Sequence, residues 1–503
     1  MKIRSVVLTL LLAVFCSTSA LAREVPLDKQ EYMRQRAEWI EEDRSMRRSA
    51  VLELDSLELA ADRVLEELKT TWDTLATFEY PPANPFHEVR AVYDASELLT
   101  VMDALPKGAL LHAHPSATGS FDLLIKATYD SSVYYYTGSD THQTLHGTLA
   151  WSDTSPGEGW ERIVDLRAAA EDVAVFDEEL MQSITLGSED MVGGDVWAEF
   201  QDNFIRMWGL VSAPEVWREH MLNTCRELAS QNVQHVEFHT YIGPTRTPDG
   251  KVVPAEKSAR FWRKIRSSIQ AEYPNFDLKL VASIGRVNSP DRVRAYLQTV
   301  VVLKRHFPEL IVGYDLVNEE DKTRTNLDFI DAILAAHRYA DSLGVDFRPV
   351  IHSGESNRLD NENLFDALLL DAKRIGHGYA LWTHPSLVEK AIEQDVALEV
   401  CPLSNQTLAY VADLRNHPAV EYLARGVPIV LSPDDPGMMS YRWSYDWVAA
   451  TSAWDLSIAD IKQLILDSFR YSGMDESERE WALQMWERDW SKWVTFIAEK
   501  GWK

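Results

Sequence analysis

The sequence predicts a (β/α)8 barrel, and three observations carry that reading. Eight short β-branched or apolar runs, at 109–114, 233–239, 278–284, 311–317, 346–352, 374–377, 397–401 and 428–432, are separated by longer stretches of helical period. Eight strand-helix units in a row close a parallel sheet on itself with the helices outside. Histidines and carboxylates fall at the C-terminal ends of the first, fifth, sixth and eighth runs, which is the barrel face where chemistry is built. With 46 % hydrophobic and 10 % aromatic content over 503 residues, the chain has the balance of an ordinary globular protein with a large core.

Taken in order, residues 1–22 read as an export signal: Lys2 and Arg4, an apolar stretch from Val6 to Phe15, then Ala20-Leu21-Ala22 as a small-residue cleavage site. The apolar run is short for a membrane anchor, and Phe15 before Cys16 is too bulky for the usual lipid-attachment site. A mature chain starting near Arg23 implies a periplasmic or secreted location, with no membrane segment. Cleavage removes two basic residues and no acidic ones, taking the formal charge from -28 to -30. That surface repels nucleic acid and anionic lipid, so a polyanionic substrate is not expected. Cys225 and Cys401 are then the remaining cysteines, too few for a disulfide framework and without a CxxC zinc motif.

Residues 23–100 form a helical extension in this reading. Its segment from Asp28 to Phe78 is charged, helical in period and free of Pro and Gly, which predicts a pair of helices outside the core. "YPPANP" at 80–85 breaks the helix and reads as a linker. The barrel is expected over 101–503. The stretch 127–194, rich in Tyr, Ser, Thr, Asp and Gly, is far too long for a first strand-to-helix connection and reads as an inserted subdomain over the barrel mouth.

Chemistry enters with spacing. Alternate side chains of a strand share a face, so His112 and His114 in "ALLHAH" project together and can share one ion. A lone HxH in a strand is more often structural. A catalytic zinc takes three or more N/O ligands and keeps a position for water, so another histidine and a carboxylate must complete the shell. His352 and Asp434 end the strand-like runs "FRPVIHS" and "VPIVLSPDD" and are the natural candidates. Glu355, His377 and Asp435 lie in the same short segments and could supply acid and base. Their plainer readings are a loop carboxylate, a packed core histidine and a turn aspartate before Pro436. His235, Glu237 and His239 in "VQHVEFH" can also face the barrel interior and are given no role.

The segments "MDALPKGALLHAH", "VGYDLV", "HSGE", "RIGHGYAL", "LEVCPLSNQTLAYVADLRNHPAV" and "SPDDPGM" resemble the adenosine deaminase family, and its secreted growth-factor-like branch in particular. The likeness runs from about residue 100 to 500, and the "EVCPLSNQTL...DLRNHP" stretch is its most specific element. The resemblance implies one zinc ion held by His112, His114, His352 and Asp434, with Glu355 protonating purine N1. It implies that His377 orients the attacking hydroxide, that Asp435 hydrogen-bonds N7 and that Trp197 helps form the substrate pocket. Phe200 and Phe204 at helical spacing offer a plain core reading for Trp197. In that branch the extension serves dimerisation, so a homodimer is expected, and the insertion takes part in receptor or ligand contacts.

The implied activity is zinc-dependent hydrolytic deamination of adenosine, or of a modified adenine nucleoside, to inosine and ammonia. The alternatives are a related aminohydrolase acting on another purine or a cyclic amide, and an extracellular growth-factor-like binding protein. Several positions depart from the family pattern. Pro115 and Ser116 stand where an aspartate reaches the sugar hydroxyls, Gly285 where a polar sugar contact is usual, and Asn318 where a glycine backbone meets purine N3. The expectation is intact metal chemistry with altered substrate selection.

Overall fold

The computed structural model describes residues 28–73, 79–141, 144–187, 195–246 and 251–502, so the stretch read as an export signal lies outside the described residues. Eight strands build the barrel: β1 Gly108–Ala113, β2 Val233–Thr240, β3 Asp277–Gly285, β4 Ile311–Val317, β5 Val350–Ser353, β6 Arg374–His377, β7 Ala397–Val400 and β8 Ile429–Leu431. Each of the eight predicted runs overlaps one of them. The fifth begins at Val350 rather than at 346 because Pro349, just before it, has no N–H to give to a ladder.

All the ladders are parallel, and they form two four-stranded halves, β1 to β4 and β5 to β8, each in chain order. Single parallel bridges close the two seams, Tyr314 with Pro349 between β4 and β5, and Ala113 with Asp434 beyond the end of β8. Helices occupy the connections in turn: Pro214–Ser230, Ala255–Glu272, Pro290–His306, Ile330–Leu343, Asn363–Leu369, Pro385–Glu393 and Ala419–Arg425. Pro sits in the first turn of the first, third and sixth of these, where its missing N–H costs nothing. The strands are buried along nearly their whole length, as a sheet covered on both faces requires.

The extension divides. Helix α1, Lys29–Ser45, buries none of its residues and belongs to a separate unit from Met46–Lys503. Helix α2, Ser56–Asp73, corrects the expectation that this region stands outside the core. Ala61, Val64, Leu65 and Trp72 are buried, and α2 packs on the C-terminal helix Glu476–Ala498. Charged residues also tie α2 down. Glu58 accepts from Lys462 Nζ at 2.7 Å and from Trp490 Nε1 at 2.8 Å, and the buried Lys69 pairs with Asp455. A charged sequence concealed this packing because its cations and carboxylates are paired across the contact.

"YPPANP" is likewise packed rather than a free linker. Tyr80, Pro81 and Pro82 are buried, Tyr80 Oη donates to Ser452 O at 2.8 Å, and Phe86 N–H donates to Gln406 Oε1 at 3.1 Å. The described part of 127–194 contains a three-stranded antiparallel sheet, Val133–Tyr136 between Leu149–Trp151 and Trp160–Arg162, with helices Ile163–Ala169 and Val173–Gln182. It packs on helix α3, Val196–Val211, where Gly209 bridges Ala150. Leu186 N–H donates to Met438 O at 2.8 Å, in the loop that follows β8.

Candidate active site

The C-terminal rim brings together side chains that lie hundreds of residues apart. His112 comes from β1 and His114 just after it, His352 from β5, and His377 is the last residue of β6. Asp434 and Asp435 follow β8. His112 Nε2 and His114 Nε2 lie 3.4 and 3.3 Å from the same oxygen, Asp434 Oδ1. Ligand atoms of His112, His352, His377 and Asp434 fall within 4.8 Å of one another, as do those of His114, Asp434 and Asp435. The four sequence-predicted ligands therefore converge, with His377 and Asp435 beside them.

Glu355 is buried, and its carboxylate oxygen lies 3.6 Å from His377 Nε2. Its backbone is set by Glu320, which accepts from the N–H groups of Gly354 at 3.1 Å and Glu355 at 3.0 Å. Trp197, on α3, stands further out. It donates through Nε1 to Tyr410 Oη at 3.0 Å and meets Phe200 edge-on, so the pocket reading and the core reading share one residue.

The donor set fits a divalent cation. His112 Nε2, His377 Nε2, Glu355 Oε1, Asp434 Oδ1 and Asp435 Oδ1 are all buried without a hydrogen-bond partner, a concentration of unsatisfied groups that folded proteins avoid unless something binds there. The far sides of two rings are occupied. His112 Nδ1 donates to Glu399 Oε2 at 2.7 Å and His352 Nδ1 to Asp315 Oδ2 at 2.8 Å, which leaves each Nε2 lone pair facing inward. Ser404 Oγ donates to Asp434 Oδ2 at 2.7 Å and so reserves Oδ1.

The field agrees. Burial alone would depress His112, yet Asp434 and Glu399 outweigh it and push the imidazole up to about 10, so this point favours positive charge. His114 is raised against its burial by Asp435 and Asp434. Asp434 is held well below the usual carboxylate range despite burial, because His112 and His114 face it. Glu355 behaves oppositely: burial, then the charges of Asp434 and Glu320, drive its carboxyl well above that range. Burial and Asp434 do the same to Asp435. His377 is pushed well below the ordinary histidine value, chiefly by burial.

Several contributors escaped the sequence reading. Asp315 in "VGYDLV" accepts from His352 N–H at 2.9 Å, from His352 Nδ1, and from His239 Nδ1 at 2.7 Å. Glu399 in "LEVC" holds His112 and also receives Arg374 Nε at 2.5 Å, while Arg374 reaches Glu237 Oε2 at 2.7 Å. His239 and Glu237, left without roles above, are thus part of the network beneath the site. The available signal was a carboxylate in the middle of an apolar strand, where an unpaired charge cannot be tolerated. Among the altered positions, Asn318 Oδ1 is buried without a partner and fills the space a side chain at Gly285 would need.

A parallel barrel with a cation-seeking histidine-carboxylate rim, beside it a buried carboxyl driven upward and a buried imidazole driven downward, has the features of the metal-dependent aminohydrolases. Residues 177–485 match the family of adenosine deaminase. Adenosine deaminase 2 of Sus scrofa is 31 % identical over 437 residues, covering 84 % of this chain and 84 % of its own length. Adenosine deaminase 2 of Dictyostelium discoideum is 30 % identical over 423 residues, covering 82 % and 78 %. Among solved structures, an amidohydrolase of Burkholderia ambifaria with bound Zn superimposes with a TM-score of 0.57 at 19 % identity, over 83 % of this chain and 99 % of that one. The chain belongs to the adenosine deaminase family, in its growth-factor-related branch.

Proposed function

We propose that the protein is an exported, zinc-dependent deaminase that hydrolyses adenosine, or a modified adenine nucleoside, to the corresponding inosine and ammonia. The observation that carries this reading is the meeting of His112 and His114 on Asp434 Oδ1, with Glu355 and His377 paired alongside. His112, His114, His352 and Asp434 hold the ion. When bound, it supplies the Lewis acidity that makes water a nucleophile near neutral pH. Glu355, protonated in its buried setting, gives its proton to purine N1 as C6 becomes tetrahedral. His377 orients the attacking oxygen and stabilises the charge it develops. Asp435 hydrogen-bonds purine N7, and Trp197 with Tyr410 walls the outer pocket.

The zinc bound in the Burkholderia amidohydrolase supports that metal here. Among the described residues no helix is long and apolar enough to cross a membrane. Tyr32 and Met33, about half exposed on α1, support a homodimer contact through the extension. Sedimentation of the mature chain should give a dimer that deletion of residues 23–45 reduces to a monomer. The activity is tested by mixing zinc-loaded protein with adenosine and following the ultraviolet change from adenine to hypoxanthine together with ammonia release. A panel adding adenine, 2'-deoxyadenosine, methylthioadenosine and AMP reads the altered sugar positions. No turnover on any member of the panel would refute the proposal.

A further inference from the structure

The "CPLSNQTL...DLRNHP" stretch is the longest family signature in the chain, yet the roles above use neither its Asn405 nor its His417. Both are buried, at 1 % and 2 % exposure. They stand in line behind His377. Ala419 N–H donates to His417 Nδ1 at 3.0 Å, so that nitrogen carries the lone pair and the ring proton is on Nε2. Burial holds this imidazole neutral by pushing it down to about 3, and the rings of Tyr379 and Trp454, each 5.3 Å away between centroids, fix its plane.

The remaining steps follow from that one backbone donor. His417 Nε2–H donates to Asn405 Oδ1 at 3.0 Å, which decides which way round the amide lies. Asn405 Nδ2 then faces His377 Nδ1 at 3.4 Å as a donor. His377 Nδ1 must accept, and the proton of a neutral ring goes to Nε2, the buried nitrogen that has no partner and points at the site. We infer that Asn405 and His417 are positioning residues that lock His377 in its Nε2–H tautomer, so that it meets the attacking oxygen as a hydrogen-bond donor. The inference rests on the proposed function for the identity of that oxygen. Within the signature stretch, then, one residue touches the catalytic imidazole and the other, twelve positions on, sets its polarity.

The test replaces the donor by an acceptor of the same shape. In Asn405→Asp a carboxylate faces His377 Nδ1 and should draw the proton there. Ring 15N NMR of the zinc-loaded protein, with the His377 signals identified by their loss in His377→Gln, should show protonated Nε2 and bare Nδ1 in the unaltered chain and the reverse in Asn405→Asp. Turnover of adenosine should fall by about a hundredfold, the cost of losing one donor to a developing charge, with KM little changed and zinc content retained. Adding Asn405→Asp to His377→Gln should cost nothing further, since the two act through one group. His417→Gln, which keeps an amide donor, should lose less than His417→Leu, and this pair decides the matter if Asn405→Asp does not fold. A protonated Nδ1 in the unaltered chain, or Asn405→Asp with the original tautomer and rate, would overturn the inference. Because the spectrum is read without substrate, failure to act on adenosine would remove the proposed reaction and leave the tautomer question decided separately.

Discussion

Three side-chain-bearing residues at the barrel rim hold left-handed backbone angles: Asn318 at φ 96°, His377 at 58° and Asp434 at 65°. Such angles cost a non-glycine residue about 1–3 kcal/mol and persist where surrounding structure imposes them. For His377 and Asp434 the imposed angle turns the side chain into the cluster. For Asn318 it lays the amide over Gly285, with an acceptor oxygen buried and unpaired. If that oxygen receives a sugar hydroxyl, Asn318→Gly should lower kcat/KM for adenosine by roughly three- to tenfold, the worth of one hydrogen bond, and leave 2'-deoxyadenosine or its 3' counterpart unchanged. Equal loss on every nucleoside would refer the effect to backbone rather than to recognition. Glu355 gives a sharper contrast. Glu355→Gln keeps size and polarity but cannot deliver the proton, so zinc content should persist while turnover falls by at least about a hundredfold. A fully active Glu355→Gln would remove the residue from the mechanism.

Between strands, the site and the closure of the barrel are the same contacts. The bridge that joins the first strand to the last pairs Ala113 with Asp434, and His114 N–H donates to Asp434 O at 3.4 Å, so the seam holds the HxH pair against Asp434. At the opposite seam a single bridge is reinforced by Asp315, whose carboxylate spans from β4 to the backbone and ring of His352 on β5. Asp315→Asn should therefore weaken zinc binding by about ten- to a hundredfold, as loss of a histidine's carboxylate partner does, measured by competition with a chelator. Gly376, opposite His352 in the β5–β6 ladder, is the other constraint. A Cβ there would lie 3.1 Å from His112 Cε1 and 3.1 Å from His352 Cα. Gly376→Ala should lower zinc affinity with little change in circular dichroism, because the strand survives while the two imidazoles are pushed apart. The strands, and the histidines and carboxylates gathered at their ends, were legible in the sequence because period and residue type coincide at each run's end. Asp315 and Glu399 were not, since a carboxylate inside an apolar strand shows that a partner exists without showing which of several distant rings it is.

At the scale of the whole molecule, charge runs through the interior rather than only over the surface. From His112 the line passes through Glu399, Arg374 and Glu237 to His235, then Asp277, Arg266 and Glu478 near the base of the barrel. The packing of α2 onto Glu476–Ala498 belongs to the same pattern, and composition alone concealed both, because paired charges count in a sequence just as solvated ones would. Asp277 offers the measurable link. Burial works to raise its carboxyl, but His235 and Arg266 outweigh burial and hold it down to about 2, against 3.8 for a free aspartate. A lowered carboxyl contributes stability that is complete above the unfolded value near 3.8 and is lost as pH falls through about 2. The difference corresponds to about 2 kcal/mol at neutral pH. Asp277→Asn should accordingly be less stable than the unaltered chain by about that amount in urea at pH 7. The gap should narrow between about pH 4 and 2 and vanish below, where both chains carry a neutral group at that position. A gap that stayed constant across this range would mean that Asp277 supports the barrel through packing alone and that its charge contributes nothing.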